Sequence, residues 1–157
     1  MRRREFITLL GGATAGWPLA AHAQQPDRVR RIGVLMPFAA DNLDLGQARF
    51  AALREGLEKL GWTEGYNIQI DTRWTTTGDV ASMQRFAKEL VALQPDLILT
   101  QSTPITATLL QETRTIPIVF ALVAYPIGSG FVASFPQPGG NVTGFVSIEP
   151  SRGDYFS

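Results

Sequence analysis

From residue 31 onward, apolar and polar positions follow two alternating periods, which together lay out a regular succession of strands and helices. Ile32-Gly33-Val34-Leu35-Met36 is a continuous apolar run closed by Pro37, the pattern of a strand buried on both faces. Over residues 45–60, Phe50, Leu53, Leu57 and Leu60 recur at helical spacing, and Gly61 supplies a stop. Residues 66–74, in which Ile68 and Ile70 alternate with polar neighbours, predict a second strand nearer a sheet edge. Asp79 is placed to cap a helix that carries Met83, Phe86, Leu90 and Leu93 on one face and ends before Pro95.

Asp96-Leu97-Ile98-Leu99-Thr100 predicts the third strand. Thr103 then caps a helix with Pro104 at its first position, where a missing N–H has no helical partner to lose, and the helix runs to about Arg114. Residues 116–123 predict a fourth strand, and residues 142–148, after the Gly139-Gly140-Asn141 turn, a fifth. Strands alternating with helices imply right-handed crossovers. The predicted class is therefore α/β, a doubly wound parallel sheet of about five strands with helices on both faces. Such sheets bind ligands beyond the carboxyl ends of their strands, where the strand order reverses. That rule selects the loops at 37–44, 74–78, 101–104 and 124–130.

The loop Gln101-Ser102-Thr103-Pro104 joins a buried strand to a helix whose first N–H groups point into the expected cleft, a setting that suits a carboxylate. The hydroxyls of Ser102 and Thr103 are candidates to bond a ligand, although Thr103 also serves as a cap. Phe38, Trp74 and Tyr125 stand just past strand ends, where exposed rings suggest a small amphipathic ligand, and Pro126 adjoins Tyr125. Each ring taken alone is better explained by packing. Asp41 and Asp44 are placed to face a ligand amine, or simply to stand in water. Gly128-Ser129-Gly130-Phe131-Val132-Ala133 matches a loose dinucleotide pattern, but Pro136 and Pro138 stop any long helix behind it, so no cofactor is expected.

The N-terminus reads as an address. Arg2-Arg3-Arg4-Glu5-Phe6-Ile7 precedes an uncharged stretch, and Ala21-His22-Ala23 has the small-x-small form of a cleavage site. Paired arginines before a bulky apolar pair resemble a twin-arginine signal, which gives residues 1–23 as a leader and the periplasm as destination. The apolar run is roughly 15 residues and contains Gly11, Gly12, Gly16 and Pro18, where a spanning helix needs about 20.

Taking three arginines and Glu5 away from 14 basic and 14 acidic residues leaves 11 against 13. That balance offers no electrostatic basis for nucleic-acid binding. The chain has no cysteine, and its one histidine, His22, lies inside the predicted cleavage site. Ser-His-Asp and Cys-His nucleophiles and His-ligated zinc are thereby excluded from the processed chain. With 45% apolar residues, the remainder can bury one modest core without disulfides.

Several ordered blocks resemble ABC-transporter substrate-binding proteins of the tryptophan/tyrosine-type family. They are Phe50-Ala51-Ala52-Leu53-Arg54-Glu55-Gly56-Leu57, Glu64-Gly65-Tyr66-Asn67, Ser102-Thr103-Pro104, Thr115-Ile116-Pro117-Ile118-Val119-Phe120 and Pro138-Gly139-Gly140-Asn141-Val142-Thr143-Gly144. The resemblance implies a type I periplasmic-binding fold, with two lobes closing on a small solute, often an aromatic or branched amino acid, for delivery to an inner-membrane permease. It implies a non-enzymatic carrier. Tyr125 stands where the family usually has an acidic residue. On this reading residues 24–30 are a polar lead-in, 31–148 the N-terminal lobe, and 149–157 the truncated start of a crossover to a missing C-terminal lobe. A half-cleft predicts no calorimetric response to an amino acid from residues 24–157 alone. A non-functional fragment of such a protein and a secreted α/β enzyme remain as alternatives.

Overall fold

The computed structural model describes residues 28–38 and 43–146. The leader, Asp41 and the tail 149–157 lie outside the described residues. Five strands form one parallel sheet in the order β2-β1-β3-β4-β5: β1 Arg30–Met36, β2 Ile68–Trp74, β3 Leu97–Gln101, β4 Ile118–Ala121 and β5 Val142–Phe145. Three helices connect them, α1 Leu43–Lys59, α2 Val80–Ala92 and α3 Thr103–Glu112.

Alternation along the strands divides the core into two layers. Leu35, Ile98, Ile118, Phe120 and Val142 face α2 and α3, where Met83, Ala87, Leu90, Ile105 and Leu109 are buried against them. On the opposite face Val34, Met36 and Phe38 pack with Phe50 and Leu53 of α1. Helices therefore cover both faces, as the doubly wound pattern requires.

Strand boundaries move from the predicted ones for identifiable reasons. β1 begins two residues early because Arg30 and Arg31 pair with Ile68 and Gln69, while Asp96 Oδ2 accepts from the Arg31 N–H at 2.8 Å. β2 begins late because residues 63–67 form a turn: Asn67 Oδ1 accepts from Thr63 N–H at 2.7 Å and Asn67 Nδ2 donates to Gly61 O at 2.8 Å. Asp79 caps α2 as expected, accepting from Ser82 N–H at 3.0 Å. Hydrogen bonding with the Ser82 side chain, and then with its N–H, holds the Asp79 carboxyl below the ordinary value. β4 stops at Ala121 because Leu122 enters the left-handed region with φ 56°.

No helix crosses from β4 to β5. Residues 122–141 run irregularly on the α2/α3 side instead, where Val123 and Val132 join the core and Phe131 packs against it. The chain leaves β1 for β2 on one side and returns to β3 on the other. The order reversal thus lies between β1 and β3, next to the start of α3.

Candidate functional site

Met36, Trp74, Gln101, Ala121 and Phe145 end their strands along one edge of the sheet, and the loops chosen from sequence all leave from that edge. At its centre β3 passes into α3 through Ser102. This residue, rather than Thr103, is the N-cap, with Thr103 the first helical residue and Pro104 in the first turn. The expected Thr103 cap is displaced because Ser102 takes φ 73° and ψ 151°, a region that costs a non-glycine residue roughly 1–3 kcal/mol.

The neighbours of Ser102 hold it there. Its carbonyl accepts from Thr106 N–H at 3.2 Å and from Thr106 Oγ1 at 2.8 Å. Its own Oγ makes no cap bond, is buried, and has no hydrogen-bond partner. A buried hydroxyl without a protein partner forfeits about 1–3 kcal/mol, which makes Ser102 Oγ a candidate to bond a ligand. Thr103 Oγ1 donates to Ala124 O at 3.4 Å, which ties the start of α3 to the loop after β4. The arrangement is an unspent hydroxyl beside the positive end of a helix, suited to an anion.

The three aromatic rings separate. Tyr125 is 62% exposed, with φ 50°, and stands free at the edge above buried Pro126. Phe38, expected to be exposed, is 9% exposed, and Trp74 is half-buried. They are drawn in because their rings meet at 6.0 Å, Phe50 closes on Trp74 at 6.1 Å, and α1 presses Gly46 onto the pair. A Cβ at Gly46 would lie 2.8 Å from both Phe38 and Trp74. Phe38 and Trp74 thus form one wall, and Asp44 lies in the first turn of α1.

Arg49, exposed on α1, is not among the residues that the sequence singles out. Its guanidinium stacks 5.4 Å over Phe38, and Nη1 donates to Gln101 Oε1 at 3.1 Å. The signal available was its position one helical turn after Gly46. Among the described residues, no cluster of His, Cys, Asp and Glu is able to hold a metal ion. The Gly128–Ala133 pattern forms turns, with Ser129 N–H donating to Tyr125 O at 2.8 Å and Phe131 N–H to Pro126 O at 2.9 Å. A groove of about 430 Å³ lined by Ile32, Leu57, Trp62 and Leu97 lies at the opposite edge, by Arg30 and Asp96, away from these loops.

Residues 31–152 match the model of a family described as ABC transporter substrate binding protein. The chain belongs to that family. A tyrosine-binding protein from Clostridioides difficile is 33% identical over 123 residues, covering 76% of this chain and 34% of the relative. A ligand-free, open substrate-binding protein with adhesive properties from Clostridium difficile superposes with TM-score 0.68 at 30% identity, over 78% of this chain and 40% of that one. A Streptococcus pneumonia ABC domain in complex with L-Trp superposes with TM-score 0.65 at 32% identity, over 74% and 38%. The chain spans about a third of the curated relative's length. Members of this family are binding proteins rather than enzymes; they take up small-molecule solutes, work with ABC permeases and are typically extracytoplasmic.

Proposed function

We propose that the strand-end edge is one half of a solute cleft and that it holds the carboxylate of an amino acid, preferably an aromatic one. Ser102 Oγ and the first N–H groups of α3 bind the carboxylate, with Thr103 beside them. Tyr125 and Pro126 flank the side chain, and Phe38 and Trp74 wall the cleft. Asp41, outside the described residues, takes the amine. The observation that carries this reading is the buried, unpartnered Ser102 Oγ at the start of α3. Relatives that bind tyrosine and tryptophan support the ligand class.

In this reading a second lobe supplies the other half of the cleft and an inner-membrane permease receives the solute. Residues 1–23 direct export by the twin-arginine route and are removed after Ala23, and the chain has no catalytic activity. One lobe contacts one side of a ligand, so affinity falls to about the millimolar range. Amide NMR of the chain titrated with millimolar L-tryptophan tests the reading. Saturable shifts at Ser102 and Thr103 are expected, and they are expected to vanish with tryptophanamide, whose carboxyl is neutral. Equal responses to both compounds would remove the carboxylate assignment.

A further inference from the structure

The end of the sheet opposite the proposed cleft holds an apolar wedge. Where α1 finishes over the opening residues of β1, β2 and β3, a groove of about 430 Å³ is lined by Ile32, Leu57, Trp62, Ile68 and Leu97, with Arg30 and Asp96 at its rim. Ile32, Leu57 and Leu97 are only half-buried and Trp62 is exposed, so the described residues leave the wedge open to water. The Trp62 N–H donates to Leu57 O at 2.9 Å, which fixes the turn that carries the indole against the end of α1. Parallel sheets bind their ligands at the carboxyl ends of the strands, and this groove lies at the amino ends. The solute cleft does not account for it.

The chain enters the fold at this groove. Arg28 Nη2 and Arg30 Nη1 lie 3.2 and 3.3 Å from Asp96 Oδ1, so residues 1–27 join the sheet at the groove's rim. Of their large apolar residues, Trp17 and Leu19 stand nearest in sequence to that point. The nine residues from Leu19 to Arg28 span about 30 Å at full extension, enough chain to turn back on the groove. A residue before proline favours extended backbone, in which positions i and i+2 share one side, so Trp17 and Leu19 present together across Pro18. We propose that in the unprocessed chain the groove seats Trp17 and Leu19, which complete the wedge of Ile32, Leu57 and Leu97 and take apolar surface out of water on both partners. The tether supplies an effective concentration of about millimolar. Residues 20–27 then form a loop held at both ends, and that loop contains Ala21-His22-Ala23. Cleavage after Ala23 cuts the tether, and the leader leaves by dilution. The seating is independent of the solute cleft, whereas the release rests on the export reading proposed above.

Methyl and indole NMR of the full 157-residue chain tests the seating. Nuclear Overhauser contacts from Trp17 to the Leu57 and Leu97 methyls are expected. In Trp17→Ser they are lost and the Ile32, Leu57 and Leu97 methyls shift, while the core methyls of Leu109 stay in place and show that the fold is intact. Phe6→Ser, which removes an apolar residue farther from Arg28, is expected to leave the groove signals unmoved. Absence of the contacts in the unaltered chain, or groove methyls that Trp17→Ser does not move, overturns the seating. So do equal shifts from Phe6→Ser. Groove signals that move on dilution as the sedimenting mass falls from two chains to one would give the groove to a second copy and overturn the seating as well. Peptidase cleavage after Ala23 is expected to reproduce the Trp17→Ser shifts. A chain left uncut, or a cleaved one that keeps the contacts, overturns the release and not the seating.

Discussion

Thr106 holds Ser102 twice, its N–H at 3.2 Å and its Oγ1 at 2.8 Å both donating to the Ser102 carbonyl. The two bonds come from a fully buried residue one turn into α3 and set against the φ 73° backbone that leaves Ser102 Oγ unpartnered. Thr106→Val keeps the shape and deletes one bond. The expected cost is about 0.5–1.5 kcal/mol in urea unfolding, with the m-value unchanged.

Ser102→Gly separates stability from binding. Glycine reaches φ 73°, ψ 151° without steric penalty, so relief of roughly 1–3 kcal/mol of strain exceeds the 0.5–1 kcal/mol of extra chain entropy. The variant is expected to unfold at higher urea concentration while losing the L-tryptophan shifts at Thr103. A less stable variant would show that the Ser102 backbone stores no strain.

Gly46→Ala tests the aromatic wall. Its Cβ falls 2.8 Å from Phe38 and Trp74, with both rings packed in place. Overpacking of this kind costs about 1–3 kcal/mol. A lowered melting temperature is expected, with a red shift of tryptophan fluorescence as Trp74 is pushed outward. An unchanged melting temperature would mean that the wall moves freely.

Asp96 links pH to stability at the far edge of the sheet. The Arg31 N–H bond lowers its pKa from the ordinary 3.8, and Arg30 and Arg28 add to the effect. A carboxyl with a depressed folded pKa stabilises the fold above the unfolded value, and the contribution is lost as pH falls through the folded one. Urea midpoints are therefore expected to decline below about pH 4. In Asp96→Asn that part of the decline is absent, and identical pH profiles for the two chains would rule the linkage out.

The parallel α/β class, the edge position of β2 and the burial of β1 on both faces were legible because apolar periodicity reports burial directly. Met83 and Leu90 fall on the buried face of α2 as their spacing predicts. The site was legible only in part. Sequence places Phe38 and Trp74 past strand ends, but their withdrawal into a wall depends on Gly46 arriving from α1, a contact between segments that spacing along the chain does not encode. Ser102 as cap was missed for a related reason: a serine with φ 73° violates local preference and persists through Thr106. Arg49 and Gln101 lie 52 positions apart, so no local pattern joins them.

A crystal structure of the chain soaked in L-tryptophan tests the central claim most directly. A carboxylate oxygen is predicted about 2.5–3.0 Å from Ser102 Oγ, at the open end of α3. Tryptophan bound instead in the groove beside Trp62, with the Ser102 hydroxyl still unpartnered, would contradict the account.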